Sequence, residues 1–240
     1  AAIRKAGHRA AIGDFKGEYV ELFFDKTRDF ILNPLDARGV SWNLFDEIEN
    51  KADLNGLCDS LIPDSTGDDR FWSAGSKAVF RGILSYLWSQ NKRTMSDLWA
   101  ACSAPVAEIA KMCESTPGGR AGYAYIQDAS GKQAAGIIAV MMSYVSWIEF
   151  AQDASGPKFS TRIFLNSSGF VFLTGRPEIE STIRPMTGLF VDLLCRRILS
   201  LDDAEHDLRR KTYIYLDEFG NRQKLPSIIR FATAAGSKGG

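Results

Sequence analysis

Tyr213-Ile214-Tyr215-Leu216-Asp217-Glu218 is the stretch from which the rest of this 240-residue sequence is best read. An apolar strand runs straight into two adjacent acids. Three other short segments share its character: residues 9–14 (RAAIGD), 29–33 (DFILN) and 169–174 (GFVFLT). Each is continuously apolar rather than alternating, which predicts a parallel sheet covered on both faces. Two of the four end in an aspartate, Asp14 and Asp217, and a third ends in Thr174-Gly175. Polar groups at the carboxyl ends of parallel strands lie where open α/β sheets bind ligands.

Helical patterns fill the gaps. Residues 18–24 form a short one after the Lys16-Gly17 turn, and residues 183–201 a long one in which Leu189, Leu193 and Leu201 alternate with Arg196-Arg197 at helical spacing. Leu225, Ile228, Ile229 and Ala232 mark a last helix with Pro226 in its first turn. This alternation predicts an α/β fold with right-handed crossovers. Residues 53–158 read differently, as helices with no strand. Residues 71–90 carry a stripe of Trp72, Val79, Ile83, Tyr86 and Leu87. Thr94, with Asp97 three residues on, starts another helix as a variant capping box. Residues 104–115 and 132–150 give two more, separated by a turn at Pro117-Gly118-Gly119. The expected organisation is a sheet domain in two parts, residues 1–52 and 159–240, interrupted by an all-α insertion over residues 53–158.

Composition narrows the function classes. Lys+Arg and Asp+Glu number 29 each, so bulk positive charge cannot be what grips a nucleic acid, although a local basic face can. Hydrophobic residues at 45% and charged residues at 24% exclude a disordered chain and a collagen-like one. Cys58, Cys102, Cys113 and Cys195 include no C-x-x-C pair, and His8 and His206 are far apart, so reduced thiols are expected rather than a zinc site. The longest apolar run, residues 134–148, is short of the roughly 20 residues a membrane span needs. It reads as a buried helix.

The two acids at 217 and 218 have a chemical reading. A nucleoside triphosphate needs Mg²⁺ to neutralise its β- and γ-oxygens, and a strand-end carboxylate holds that ion, often through water. Asp217 takes the metal role, and Glu218, one residue on, orients or deprotonates the attacking water. This is the Walker B arrangement; the bland alternative is a strand ending in a solvated acidic turn. A P-loop enzyme also needs a glycine-rich cradle, G-x-x-x-x-G-K-[ST]. The sequence contains none: Gly131-Lys132-Gln133 lacks the upstream glycine and the hydroxyl, and residues 236–240 (GSKGG) have the wrong order. A piece of a longer motor protein, inactive as an ATPase by itself, is the expectation.

The blocks RAAIGDFKGEYV, FILNPLDARGVSWNLFDEI, FWSAGSKAVF, GFVFLTGRPEIESTIRPMTGLFVDLLCRRILSL and YIYLDEFGNRQKLPSIIRFATAAGSKGG, taken in order, resemble the type IV secretion coupling proteins, the TraD/TrwB-like conjugative ATPases. Asn33-Pro34-Leu35-Asp36 followed by Trp42-Asn43 marks the family, as does Arg184-Pro185 opening the long helix. The resemblance implies a RecA-like P-loop NTPase sheet with an inserted all-α domain and a homo-hexameric ring in the full-length protein. It implies an anchor at the cytoplasmic face of the bacterial inner membrane, and ATP with Mg²⁺ as cofactors. The implied partners are single-stranded DNA, the relaxase and relaxosome accessory proteins, and components of the secretion channel. It places Asp217 and Glu218 as the Walker B pair, with Asp14 and Lys238 near the nucleotide. The family's arginine in the Gly-Arg-Ser-Lys-Gly block, a candidate finger for a neighbouring subunit's phosphate, is Gly236 here. Lys238 or Arg230 could substitute, though a surface role is the plainer reading of each.

Other residues have plain readings as well. Arg176 and Arg184 can meet phosphate or DNA, or simply cap helices and form surface ion pairs. Trp72, Trp88, Trp99 and Trp147 read as core rather than as base-stacking platforms. Arg209-Arg210-Lys211 is a short basic run in a loop, able to face DNA or acidic lipid if a ring points it there. Two further functions fit the same residues: a ring-shaped DNA translocase of the HerA/FtsK kind, and a non-catalytic helical adaptor for relaxosome or effector proteins.

Overall fold

A computed structural model describes residues 2–176, 178–200, 210–216, 228 and 231. The chain begins with α1 (Ala2–Lys5), β1 (Arg9–Asp14), α2 (Glu18–Phe23), β2 (Phe30–Leu32) and β3 (Ser41–Trp42). Seven helices follow: α3 (Lys51–Leu61), α4 (Arg70–Ser89), α5 (Met95–Cys102), α6 (Val106–Glu114), α7 (Arg120–Ile126), α8 (Lys132–Val145) and α9 (Ile148–Ala151). It then returns through β4 (Lys158–Phe159), α10 (Thr161–Asn166), β5 (Phe170–Thr174), α11 (Glu180–Ser200) and β6 (Thr212–Leu216). Two compact units result, Ala1–Trp42 with Ala154–Gly240, and Asn43–Asp153. The division falls at 42/43 and 153/154, against 52/53 and 158/159 in the sequence reading. The early crossing has a local cause. Asn43 donates to Arg93 O at 2.8 Å and Leu44 N approaches Met95 Sδ at 3.4 Å, so the chain joins the helical unit before its first long helix.

In the sheet unit the strand order is β2–β5–β1–β6, all parallel. The register aligns Asp14 with Thr174, Gly13 with Leu216 and Leu32 with Leu173, so the carboxyl ends of all four strands form one rim. β1 and β5 are buried almost throughout, as continuous apolar segments predict. β6 departs from that expectation: Tyr213 and Tyr215 are 38% and 48% exposed, and among the described residues only β1 pairs with it. A second, two-stranded ribbon pairs β3 with β4 in parallel, Ser41 beside Lys158 and Trp42 beside Phe159. Two residues are too short to carry a periodic signal, so the sequence shows no sign of this ribbon.

Burying large apolar side chains contributes about 1.5–3 kcal/mol each. On one side Ile12, Val20, Ile31 and Phe172 pack together; elsewhere Phe190 of α11 meets Trp42 edge-on, with Phe159 and Phe164 also against it. α11 begins at Glu180, three residues before the sequence reading, and carries Pro185 as a buried residue inside its second turn. Asp29 makes one of the polar ties across this unit. The Asp29 carboxylate, its side chain fully buried, accepts both terminal nitrogens of Arg4 and the backbone N–H groups of Asp25 and Phe170.

In the helical unit α4 packs against α3, α5, α6, α7 and α8. Its buried set runs nearly all round the helix, wider than the stripe read from sequence: Val79, Ile83 and Leu87 are core, whereas Trp72 and Tyr86 are only partly buried. Gly75, Gly82 and, from α7, Gly122 make the close approaches possible. Residues 132–150 are not one helix; α8 ends at Val145 and α9 starts at Ile148, with the fully buried Trp147 between them donating its indole N–H to Tyr144 O. Of the four tryptophans read as core, Trp147 alone is fully buried. All four cysteines are buried free thiols, and burial pushes Cys58, Cys113 and Cys195 up to about 12.

Candidate functional site

The carboxyl rim of the sheet holds a crevice of about 840 Å³, formed by the loops that leave β1, β2 and β5. The loop after β1 is built by Asp14. Its main-chain oxygen receives the Gly17 N–H, Gly17 adopts φ 79° and ends the turn, and the Asp14 carboxylate accepts the Val20 N–H at 2.7 Å. A residue with a Cβ resists the left-handed conformation at 17, which is why glycine stands there. Asp14 thus satisfies one of the donors that the start of α2 would otherwise leave unpaired. It is 3% exposed and lines the crevice.

The loop after β2 is the Asn33-Pro34-Leu35-Asp36 segment. Asn33 accepts Leu35 N at 3.0 Å and donates to Thr174 Oγ1 at 3.3 Å, joining the β2 and β5 ends. Asp36 takes the Arg38 guanidinium through both carboxylate oxygens, at 3.0 and 2.8 Å, and its backbone N–H at 2.8 Å. The Arg38 hydrogen bond, the largest cause, holds the Asp36 carboxyl below its ordinary value, and the charge of Arg176 adds to it. Gly39 closes the turn where any Cβ would collide with the Asn33 and Asp36 carbonyl oxygens. Arg176, exposed, stands at the mouth of the crevice with Lys16.

This geometry sorts the residues expected from sequence. Asp14 is on the rim, with a structural bond of its own. β6 reaches the rim at Leu216, and the next two residues in the chain, Asp217 and Glu218, lie outside the described residues, as do Lys238, Arg230 and Gly236. Arg184 pairs with Glu180 one turn away at 3.4 Å, both side chains being partly buried. Thr174 stands at a strand end where the sequence points to a ligand-binding rim; Asn33 and Arg38 carry no such signal as site residues, although the Asn33–Asp36 block marks the family. Among the described residues no group of three or more His, Cys, Asp or Glu is placed to hold a metal ion. The rim's donors are hard oxygens, the class suited to Mg²⁺. No described helix is long and apolar enough to cross a membrane.

Comparison with known proteins agrees with this arrangement. Coupling protein TraD of Escherichia coli (strain K12) is 24% identical over 246 residues, covering 99% of this chain and 33% of TraD. The unbound bacterial conjugative coupling protein TrwBdeltaN70 superposes with a TM-score of 0.81 at 26% identity, over 98% of this chain and 54% of that one. Plasmid coupling protein TrwB in complex with ADP and Mg²⁺ matches equally well, with a TM-score of 0.81 over 98% and 55% of the two chains. The chain therefore spans a third to about half of the length of these relatives. The shared architecture is a RecA-like parallel sheet with an all-α insertion. A family model for the type IV secretion-system coupling protein DNA-binding domain matches residues 1–240, and the chain belongs to that family.

Proposed function

We propose that the chain is the motor segment of a conjugative coupling ATPase, which uses ATP hydrolysis to bring single-stranded DNA, or protein, to a type IV secretion channel. The observation that carries this reading is the β1–β6 register. It brings β6 to the carboxyl rim at Leu216, beside Gly13, immediately before the Asp217-Glu218 pair in the chain. Bound Mg²⁺ would neutralise the β- and γ-phosphate oxygens of ATP. Asp217 would hold that ion, and Glu218 would orient the attacking water and accept its proton. Lys238 and Asp14 contribute to the nucleotide pocket, Asp14 by fixing the loop after β1. The sheet unit, residues 1–42 with 154–240, forms the motor, and the helical unit over 43–153 meets relaxase and relaxosome proteins. The full-length protein works as a homo-hexamer at the cytoplasmic face of the inner membrane. TrwB, similar in structure, has been seen with ADP and Mg²⁺ and with a non-hydrolysable ATP analogue.

Steady-state turnover tests the assignment. A positioned base contributes about 10²–10⁴-fold to rate. Glu218→Gln in the full-length protein is expected to lower kcat at least a hundredfold while ATP binding persists. Retention of the wild-type rate would remove Glu218 from the reaction. The 240-residue chain alone, without a P-loop sequence, is expected to show no turnover.

A further inference from the structure

β1 and β5 are neighbours in the sheet whose connections part: β1 runs on through α2 to β2 on one side, and β5 through α11 to β6 on the other. Right-handed crossovers carry two such connections to opposite faces, which opens a crevice between the strand ends, the usual place for a ligand in an open α/β sheet. The crevice of about 840 Å³ lies there, and no described residue of β6 lines it. Three polar groups at this point have bonding capacity left. Arg176 is exposed and, among the described residues, has no hydrogen bond or ion pair, whereas every other arginine described in the sheet unit has one. Thr174, 8% exposed, accepts from Asn33 and has no described acceptor for its own hydroxyl proton. Asp14, its partner in register, bonds Val20 N through Oδ2, and no described group meets its Oδ1.

We infer that this switch point binds orthophosphate in its protonated, hydrogen-phosphate form, the product that the proposed hydrolysis releases; only that source of the anion rests on the reading of the chain as an ATPase. Arg176 supplies a charged fork suited to two phosphate oxygens, Thr174 a hydroxyl donor and Asp14 an acceptor. The Asp14 carboxylate decides which anion fits. A fully deprotonated oxyanion sets its lone pairs against Oδ1, whereas hydrogen phosphate carries a P–OH group that donates to it. The charges of the crevice agree with this. Arg38 is forked onto Asp36, and the rest of the charged lining, Lys16 and Arg176 with Asp14 and Glu21, is balanced. Such a balance suits a small ligand that donates as well as accepts.

The test is isothermal titration calorimetry of orthophosphate into the full-length protein, with ADP and Mg²⁺ already saturating. The unaltered protein is expected to bind phosphate, and Arg176→Ala, at an exposed position, to bind it about tenfold more weakly or worse, the worth of one charge-assisted hydrogen bond. Sulfate, which carries no proton at neutral pH, is expected to bind the unaltered protein about tenfold more weakly than phosphate, because it brings no donor to Asp14. Asp14→Asn, which offers an N–H in place of a carboxylate oxygen, should bring the two anions level. Should that variant fold poorly, the phosphate-to-sulfate ratio of the unaltered protein carries the same test. Absence of phosphate binding, or an affinity that Arg176→Ala leaves unchanged, would overturn the inference. So would sulfate bound as tightly as phosphate by the unaltered protein, because the carboxylate would then select nothing. The two readings fail separately: a rate that survives Glu218→Gln refutes the motor assignment whatever phosphate does, and a phosphate affinity indifferent to Arg176→Ala refutes the anion site alone.

Discussion

In the sheet unit, buried polar side chains bond to partners far along the chain: Asp29 accepts from Phe170 N, 141 residues away, and Asn33 donates to Thr174 across the same separation. The helical unit has few such ties. Its helices meet through glycines, where Gly75, Gly82 and Gly122 let neighbouring atoms come closer than any Cβ would allow, and the starts of α3 and α5 are closed by side chains three residues off. One unit is specified by hydrogen-bond chemistry between distant segments, the other by fit between neighbours. Losing a partner should therefore cost more in the first, whereas adding an atom is costly in both, since Gly39, Gly156 and Gly169 of the sheet unit also stand against backbone oxygens.

Three substitutions put numbers on this contrast. Asp29→Ala leaves Arg4 and two backbone N–H groups without their acceptor, and breaking a buried pair costs about 3–5 kcal/mol. Chemical denaturation should show that loss, with hydrogen exchange rising first in β2 and β5. A loss below about 1 kcal/mol, the net worth of a typical hydrogen bond, would mean that water replaces the carboxylate and that the unit is not tied there. Gly122→Ala is the converse probe. The new methyl group would sit 2.6 Å from Ala78 O and 2.8 Å from the Val79 Cα, both in the backbone of α4, which cannot step aside as a flexible side chain would. Overpacking of this kind costs about 1–3 kcal/mol and outweighs the gain in helix propensity. Finally, Thr94→Ala removes the cap that accepts Asp97 N at 3.0 Å, with an expected loss of about 1 kcal/mol confined to α5 exchange rates. If Thr94→Ala destabilised as much as Asp29→Ala, the distinction between the two units would fail.

The same contrast explains what could be read without coordinates. The Thr94-x-x-Asp97 box was legible because all its parts lie within one turn, and both reciprocal bonds form. β1 was legible to the residue, since a continuously apolar run bounded by Arg9 and Asp14 is a local pattern. Asp29 was not, because nothing near it in sequence announces Arg4 or Phe170 as partners. The break at Trp147 was missed for a similar reason: the run from Ala134 to Ile148 keeps its apolar character through a turn made by one buried indole. At the carboxyl rim, Asp14 was found from its place at a strand end, although its bond to Val20 was not.

The two-residue ribbon of β3 and β4 has a consequence for how this architecture tolerates change. Ser41 and Lys158 are neighbours across one strand spacing, about 4.8 Å, so more than a hundred intervening residues depart and return through a narrow stem. Closing such a detour costs free energy that grows only with the logarithm of its length. The sheet is consequently almost indifferent to the size of whatever hangs from the stem. A helical cassette can lengthen, shrink or be exchanged there while Ile31, Phe172 and their neighbours keep the same register.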